Sequence, residues 1–133
     1  MGITTDYHIL GVDEKDKKYN DKIHYNQRLS YDDVIKHTKR AGIIIDIPQK
    51  NQSAFSIKVC EAIYYDKILI TTDEKIKEAP FYDDKHMFYI KDIDDISEKM
   101  FRECNGFAYS KEVKDYFSVN RFINMVKKDL EVD

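Results

Sequence analysis

Tryptophan is absent from this 133-residue chain, and glycine (4), proline (2) and cysteine (2) are scarce. Two cysteines, Cys60 and Cys104, cannot build a disulfide framework, and neither sits at metal-ligand spacing. A reducing cytoplasm is the compartment that follows. No low-complexity linker or internal repeat interrupts the chain, and its length suits one compact domain over residues 1–133. No apolar run approaches the roughly 20 residues of a membrane span. The first residues lack the basic region and apolar core of a signal peptide. Excess charge is lacking too: 22 Lys and Arg interleave with 25 Asp and Glu for a net charge of −3. No basic patch speaks for nucleic acid or an anionic membrane. The four histidines, His8, His24, His37 and His86, show no ligand spacing along the chain, so neither a metal nor a cofactor is expected.

What is present is core-forming material: 42% hydrophobic residues beside 35% charged ones, as in a globular domain. Residues 7–12 read as a strand ended by a charged run that continues to Lys22 as a solvated loop or short helix. Residues 23–26 read as a second short strand. Ser30 opens the clearest helix signal, residues 30–41. It makes an acidic capping box with Asp33; Tyr31, Val34, Ile35 and Thr38 recur at helical spacing. Lys36, Lys39 and Arg40 load its C-terminal end, and Gly42 offers a left-handed cap.

The β-branched run at residues 43–47 marks a strand buried on both faces, ended by Pro48. A helix over residues 56–65 follows, with Ile57, Cys60, Ile63 and Tyr64 on one side. Residues 67–71 make a fourth strand, residues 73–79 a helical turn stopped by Pro80, and residues 87–90 a fifth strand. Asp92 caps a predicted helix carrying Ile93, Ile96 and Met100. Asn105-Gly106 signals a turn. The C-terminal segment is one long helix or two short ones broken near Ser118.

Strands alternating with helices over short connections predict an α/β, Rossmann-like three-layer sandwich. Its five-stranded, mostly parallel sheet would have order 2-1-3-4-5. The switch point then lies between the first and third strands, bringing residues 11–13 and 48–56 to one crevice. Ser53, Ala54 and Ser56 are small, so backbone N–H groups there could approach a diphosphate at a helix start. Lys58 would add charge, and Glu61 would accept from a ribose diol. The plainer alternative is that Ser53 and Ser56 cap a helix and Glu61 is a surface carboxylate.

The run from Ser53 to Ala62 resembles the donor-nucleotide half of GT-B glycosyltransferases. In that motif a Glu, followed closely by Gly-Phe-Gly, is separated by seven intervening residues from a second Glu followed by Ala. Here Phe55 matches the Phe, Ala54 and Ser56 stand for the glycines, Ser53 stands for the first Glu, and Glu61-Ala62 matches the second. A closer likeness is to bacterial lipopolysaccharide core or capsular polysaccharide biosynthesis proteins. It is carried by Ile45-Asp46-Ile47, Gln49, Gln52, Lys58, Glu61-Ala62, the run Lys67 to Asp73 and Phe81-Tyr82.

The resemblance implies a nucleotide-sugar-binding domain in surface polysaccharide biosynthesis. Gln52, Ser53, Ala54, Phe55, Ser56 and Lys58 would face the diphosphate and Glu61 the ribose; no catalytic residue is assigned. It implies a nucleotide-sugar donor as ligand, bound weakly by this half alone. An acceptor domain or partner chain would complete the enzyme, so the isolated chain is expected to be inactive. The location implied is cytoplasmic, peripheral to the membrane's inner face through partners.

Two other readings remain open at this level. In a receiver-like phospho-acceptor domain, Asp13-Glu14 would hold magnesium and Asp46 would take the phosphoryl group, with Thr71 or Thr72 and Lys91 beside it. In a non-catalytic interaction domain, Phe81, Tyr82, Tyr116 and Phe117 would form an exposed aromatic surface.

Overall fold

Every strand among the described residues pairs in parallel, but in two sheets rather than one. The computed structural model describes residues 4–19, 21–102 and 104–131. Its elements are β1 (Tyr7–Ile9), β2 (Ile23–Tyr25), α1 (Tyr31–Arg40), β3 (Ile43–Asp46), α2 (Ile57–Tyr64), β4 (Ile68–Thr71), β5 (Met87–Tyr89), α3 (Lys111–Asp115) and α4 (Val119–Glu131). Short 3-10 turns fill several connections. Two compact units divide the chain, one up to His37 and one from Thr38 onward.

The class is mixed α/β, but the predicted five-stranded sheet of order 2-1-3-4-5 is not formed: β1 pairs only with β2, and β3-β4-β5 make a sheet of three. The reason lies in the strands. A central parallel strand must be apolar on both faces. β1 and β2 are three residues each and largely open, with Ile9 40% and Leu10 56% exposed. Among its described residues the polar run after β1 forms one 3-10 turn, Glu14–Asp16, and no α-helix.

The first unit ends in the start of α1. Ser30 Oγ accepts from Asp33 N at 3.1 Å, one half of the capping box expected from sequence, but the Asp33 carboxylate accepts from the Ser30 hydroxyl at 2.8 Å rather than from the Ser30 backbone N–H.

In the second unit the period-2 alternation of strands sorts the core into two layers. Ile44, Leu69 and Met87 face one layer with Val59, Ala62 and Ile63 of α2. Ile68, Ile70 and Ile90 face the other, against Ile43, Ile45 and Phe88. All four residues of β4 are buried, as a central parallel strand requires. Gly42 does not take the left-handed cap assigned to it; among the described residues the positive-φ glycines are Gly11 and Gly106. A Cβ on Gly42 would stand 3.5 Å from Cys104 Cβ, ordinary contact, so neither close packing nor φ demands glycine there.

α2 buries a different stripe from the one predicted. Val59, Ala62 and Ile63, spaced i, i+3, i+4, turn inward, while Ile57 and Tyr64 are 65% and 72% exposed. The helix closes with Asp66 in the left-handed region (φ 55). Lys67 N donates to Ala62 O at 2.8 Å and Asp66 N to Ile63 O at 3.4 Å, a Schellman cap built on aspartate. Asp66 also accepts from Tyr109 N at 2.9 Å and from Lys114 Nζ. Tyr109 is buried, and its hydroxyl donates to Lys67 O at 2.7 Å, with His86 O at 3.2 Å. Burial, with the charges of Asp83 and Asp66, pushes that phenol far above its ordinary pKa. This joins the segment before α3 to the amino-terminal edge of β4 and β5.

The predicted helix after Asp92 is replaced by two 3-10 turns, Ile93–Asp95 and Glu98–Phe101. Asp92 does cap the first of them, but Asp95 accepts from the N–H groups of Lys91 and Asp92 and holds the turn tight. Of the two C-terminal alternatives the broken one holds: α3 and α4 are separated at Ser118, whose Oγ accepts from Arg121 N at 3.1 Å. Phe81 is not surface but core, 2% exposed, with the rings of Tyr116 and Phe117 each 4.8 Å from it. No helix among the described residues is long and apolar enough to cross a membrane.

Candidate functional site

Residues 47–56 connect the carboxyl end of β3 to the start of α2, at the edge of the parallel sheet where open α/β folds take ligands. β3 ends in Asp46, 5% exposed. Its Oδ1 accepts from Ser56 Oγ at 2.6 Å and its Oδ2 from Thr71 Oγ1 at 3.1 Å. Each hydroxyl also accepts from a backbone N–H: Ser56 Oγ from Lys58 N at 3.2 Å, Thr71 Oγ1 from Asp73 N at 3.0 Å. One carboxylate therefore fastens the start of α2 and the segment leaving β4 to the end of β3. A buried carboxylate is tolerated because charge-assisted bonds replace its water.

Lys75 holds the other side of the loop. Its Nζ donates to Gln52 O at 2.8 Å and Ser53 O at 3.1 Å, lies 3.4 Å from the Asp73 carboxylate, and sits 5.5 Å from the Phe55 ring centroid. Asn51 takes a positive φ of 73°, turning the chain just before these carbonyls.

Within this frame the predicted residues divide. Gln52, Ser53 and Ala54 are exposed. No described residue accepts from the N–H groups of Ser53, Ala54 or Phe55. The Phe55 side chain anchors the loop, packed on the core with its ring 5.2 Å from Phe81, while its backbone N–H stays unpaired among the described residues. Ser56 has its hydroxyl fully engaged as donor and acceptor, so it caps α2 and offers no free hydroxyl. Lys58 is partly buried, its Nζ 3.4 Å from Glu61 Oε2. Glu61 is 8% exposed, not a surface carboxylate. Its Oε2 is buried and makes no hydrogen bond in the described structure, leaving the ion pair with Lys58 as its nearest polar contact.

Asp46 sits beside Thr71 as a receiver would have it, but both its oxygens are engaged and it is buried. A phosphoryl acceptor needs an oxygen open to its donor. The acid pair Asp13-Glu14 belongs to the first unit.

Two groups escaped the sequence reading. Lys75 carried no signal, because a lysine in a charged turn reads as solvated. In the first unit Asp6, His8 and His24 place one ligand atom each within 4.8 Å of one another. The signal was Asp-x-His entering a strand, since residues two apart share a face, together with a histidine on the next strand. Burial raises the pKa of Asp6, but hydrogen bonds from His37 and His8, with the charges of both rings, outweigh it and hold the carboxyl below its ordinary value.

Comparison of the chain with protein-family models, curated proteins and solved structures gives no match.

Proposed function

We propose that the second unit binds the diphosphate of a nucleotide-sugar donor at residues 52–58, as a glycosyltransferase-like domain of bacterial surface polysaccharide biosynthesis. The observation that carries this is the run of unclaimed N–H groups at Ser53, Ala54 and Phe55. They lie at the carboxyl edge of parallel strands, immediately before a capped helix. A run of unpaired N–H groups there suits a phosphate, and the first turn of α2 adds its own dipole. Asp46 and Lys75 preorganise the loop, so little conformational entropy is lost on binding. Lys58 lies in the first turn of α2. Glu61 meets a ribose diol by exchanging its contact with Lys58 for two hydroxyl donors, which releases Lys58 toward the phosphates.

Half of a two-domain cleft gives weak affinity, high micromolar to millimolar, or roughly −4 to −6 kcal/mol. Calorimetric titration with UDP, GDP and ADP measures it. Glu61→Gln keeps the shape of the side chain and removes its charge. It is expected to weaken binding by about 1.5–3 kcal/mol, the worth of a charge-assisted bond, while leaving the melting temperature within a few degrees. Unchanged binding with a sharply lowered melting temperature makes Glu61 structural and removes it from the site.

A further inference from the structure

The first unit gathers three of the four histidines around one carboxylate. His8 on β1 lies opposite His24 on β2 in the parallel register, so both rings stand on one side of the pair, stacked 4.7 Å apart at 18°. His8 Nε2 is 2.8 Å from Asp6 Oδ1. His37, from the first turns of α1, contacts the other oxygen of Asp6 through Nδ1 and stands edge-on to His8 at 5.4 Å. His8 Nδ1 is buried and has no hydrogen-bond partner among the described residues. Core packing does not account for this grouping, because β1 and β2 bury little and His24 is exposed.

We propose that Asp6, His8 and His24 bind a divalent cation of the zinc class, with His37 holding the Asp6 carboxylate in place. Two imidazoles and one carboxylate suit zinc and its transition-metal neighbours, whereas magnesium and calcium call for oxygen donors. Tetrahedral ligands at about 2.0–2.1 Å from zinc stand about 3.3 Å apart. Donor atoms already within 4.8 Å of one another therefore close by about 1.5 Å at most, within the reach of side-chain rotation on an open strand pair. The ion takes the place of the proton now shared by His8 and Asp6. His37 on the second carboxylate oxygen is the outer partner that metal-bound carboxylates usually have. Three protein ligands leave the fourth position to water.

The test uses the full chain without an affinity tag. Long-range proton–nitrogen spectra of the histidine rings are recorded as zinc chloride is added, and binding is measured by competition with a fluorescent chelator. Ring nitrogens of His8 and His24 should shift at one equivalent while those of His86 stay still, and a tenfold excess of magnesium should change neither. His8→Gln and His24→Gln should each weaken zinc binding about a hundredfold, and His37→Gln about tenfold. The ring shifts of the unaltered chain need no variant, so a misfolded substitution does not blunt the test. Absent ring shifts, shifts centred on His86 or the cysteines, or variants that bind as tightly as the parent overturn the proposal. Binding of nucleotides by the second unit is read separately and does not bear on this outcome.

Discussion

Two parallel sheets in one chain, β1-β2 and β3-β4-β5, differ in almost everything except direction. In the larger sheet Ile68, Leu69, Ile70 and Thr71 are all fully buried, and apolar layers cover both faces. In the smaller one Tyr7 and Ile9 are 40% exposed or more. Parallel strands cannot be joined by a hairpin, so each needs a crossover, and the crossover is what normally covers the sheet. Between β3 and β4 that crossover is α2. Between β1 and β2 it is a polar segment whose described residues form one 3-10 turn with no buried residue. Hydrophobic burial holds the larger sheet; ring stacking and polar contacts around Asp6 hold much of the smaller one.

The largest effect should come from breaking that contrast at its centre. Ile70→Ala removes a fully buried side chain and should cost the second unit about 2–5 kcal/mol. Ile9→Ala, at a 40% exposed position, should cost well under about 1 kcal/mol. Denaturant melts of the two variants, with amide exchange to assign each loss to its unit, check both values. Similar losses would mean that β1 is far better covered than its exposure says.

A smaller effect belongs to Asp46. Asp46→Ala strands the Ser56 and Thr71 hydroxyls and should cost about 2 kcal/mol, within the range for hydrogen bonds to a charged group. Ser56→Ala and Asp46→Ala together should cost less than the sum of the singles, because they share one bond. A double-mutant cycle on melting free energies reads that coupling; strict additivity denies the brace.

The smallest effect lies in the first unit. Asp6 has its folded pKa lowered, so the stability it contributes is present above its unfolded value of about 3.9 and is lost as pH falls through the folded value. The carboxylate is 45% exposed, so solvent screening keeps the contribution small. Carboxyl carbon shifts followed from pH 7 to 2 should put the Asp6 midpoint below about 3.9. A midpoint at or above that value removes the contacts with His8 and His37 from the account.

Local chemistry was legible in the sequence, while long-range pairing was not. Ser30 with Asp33, the β-branched run into Asp46 and Ser56 before α2 carry their reasons within a few residues, whereas the sequence left one long C-terminal helix and a break near Ser118 both open. The sheet order failed because alternation of elements says that strands exist, not that each is apolar enough to be central. The helix after Asp92 failed because Ile93 and Ile96, three apart, satisfy 3-10 spacing as well as helical spacing, and Asp95 closed the tighter turn. At the loop, sequence named the small residues but not their roles. Ser56 is spent on Asp46, and Phe55 on the core. The holding cation is Lys75, 22 residues beyond Ser53 and tied to it only through a backbone carbonyl. Asp6, His8 and His24 were missed because their proximity arises from strand register, which spacing along the chain does not show.

The account turns on whether the loop before α2 meets a diphosphate. Proton–nitrogen amide spectra of the full chain, titrated with UDP, GDP or ADP into the millimolar range, answer this residue by residue. Shifts should concentrate at residues 52–58, with Ser53, Ala54 and Phe55 largest, and the amides of β1 and β2 should stay still. No shifts at millimolar nucleotide, or shifts centred away from that loop, would contradict it.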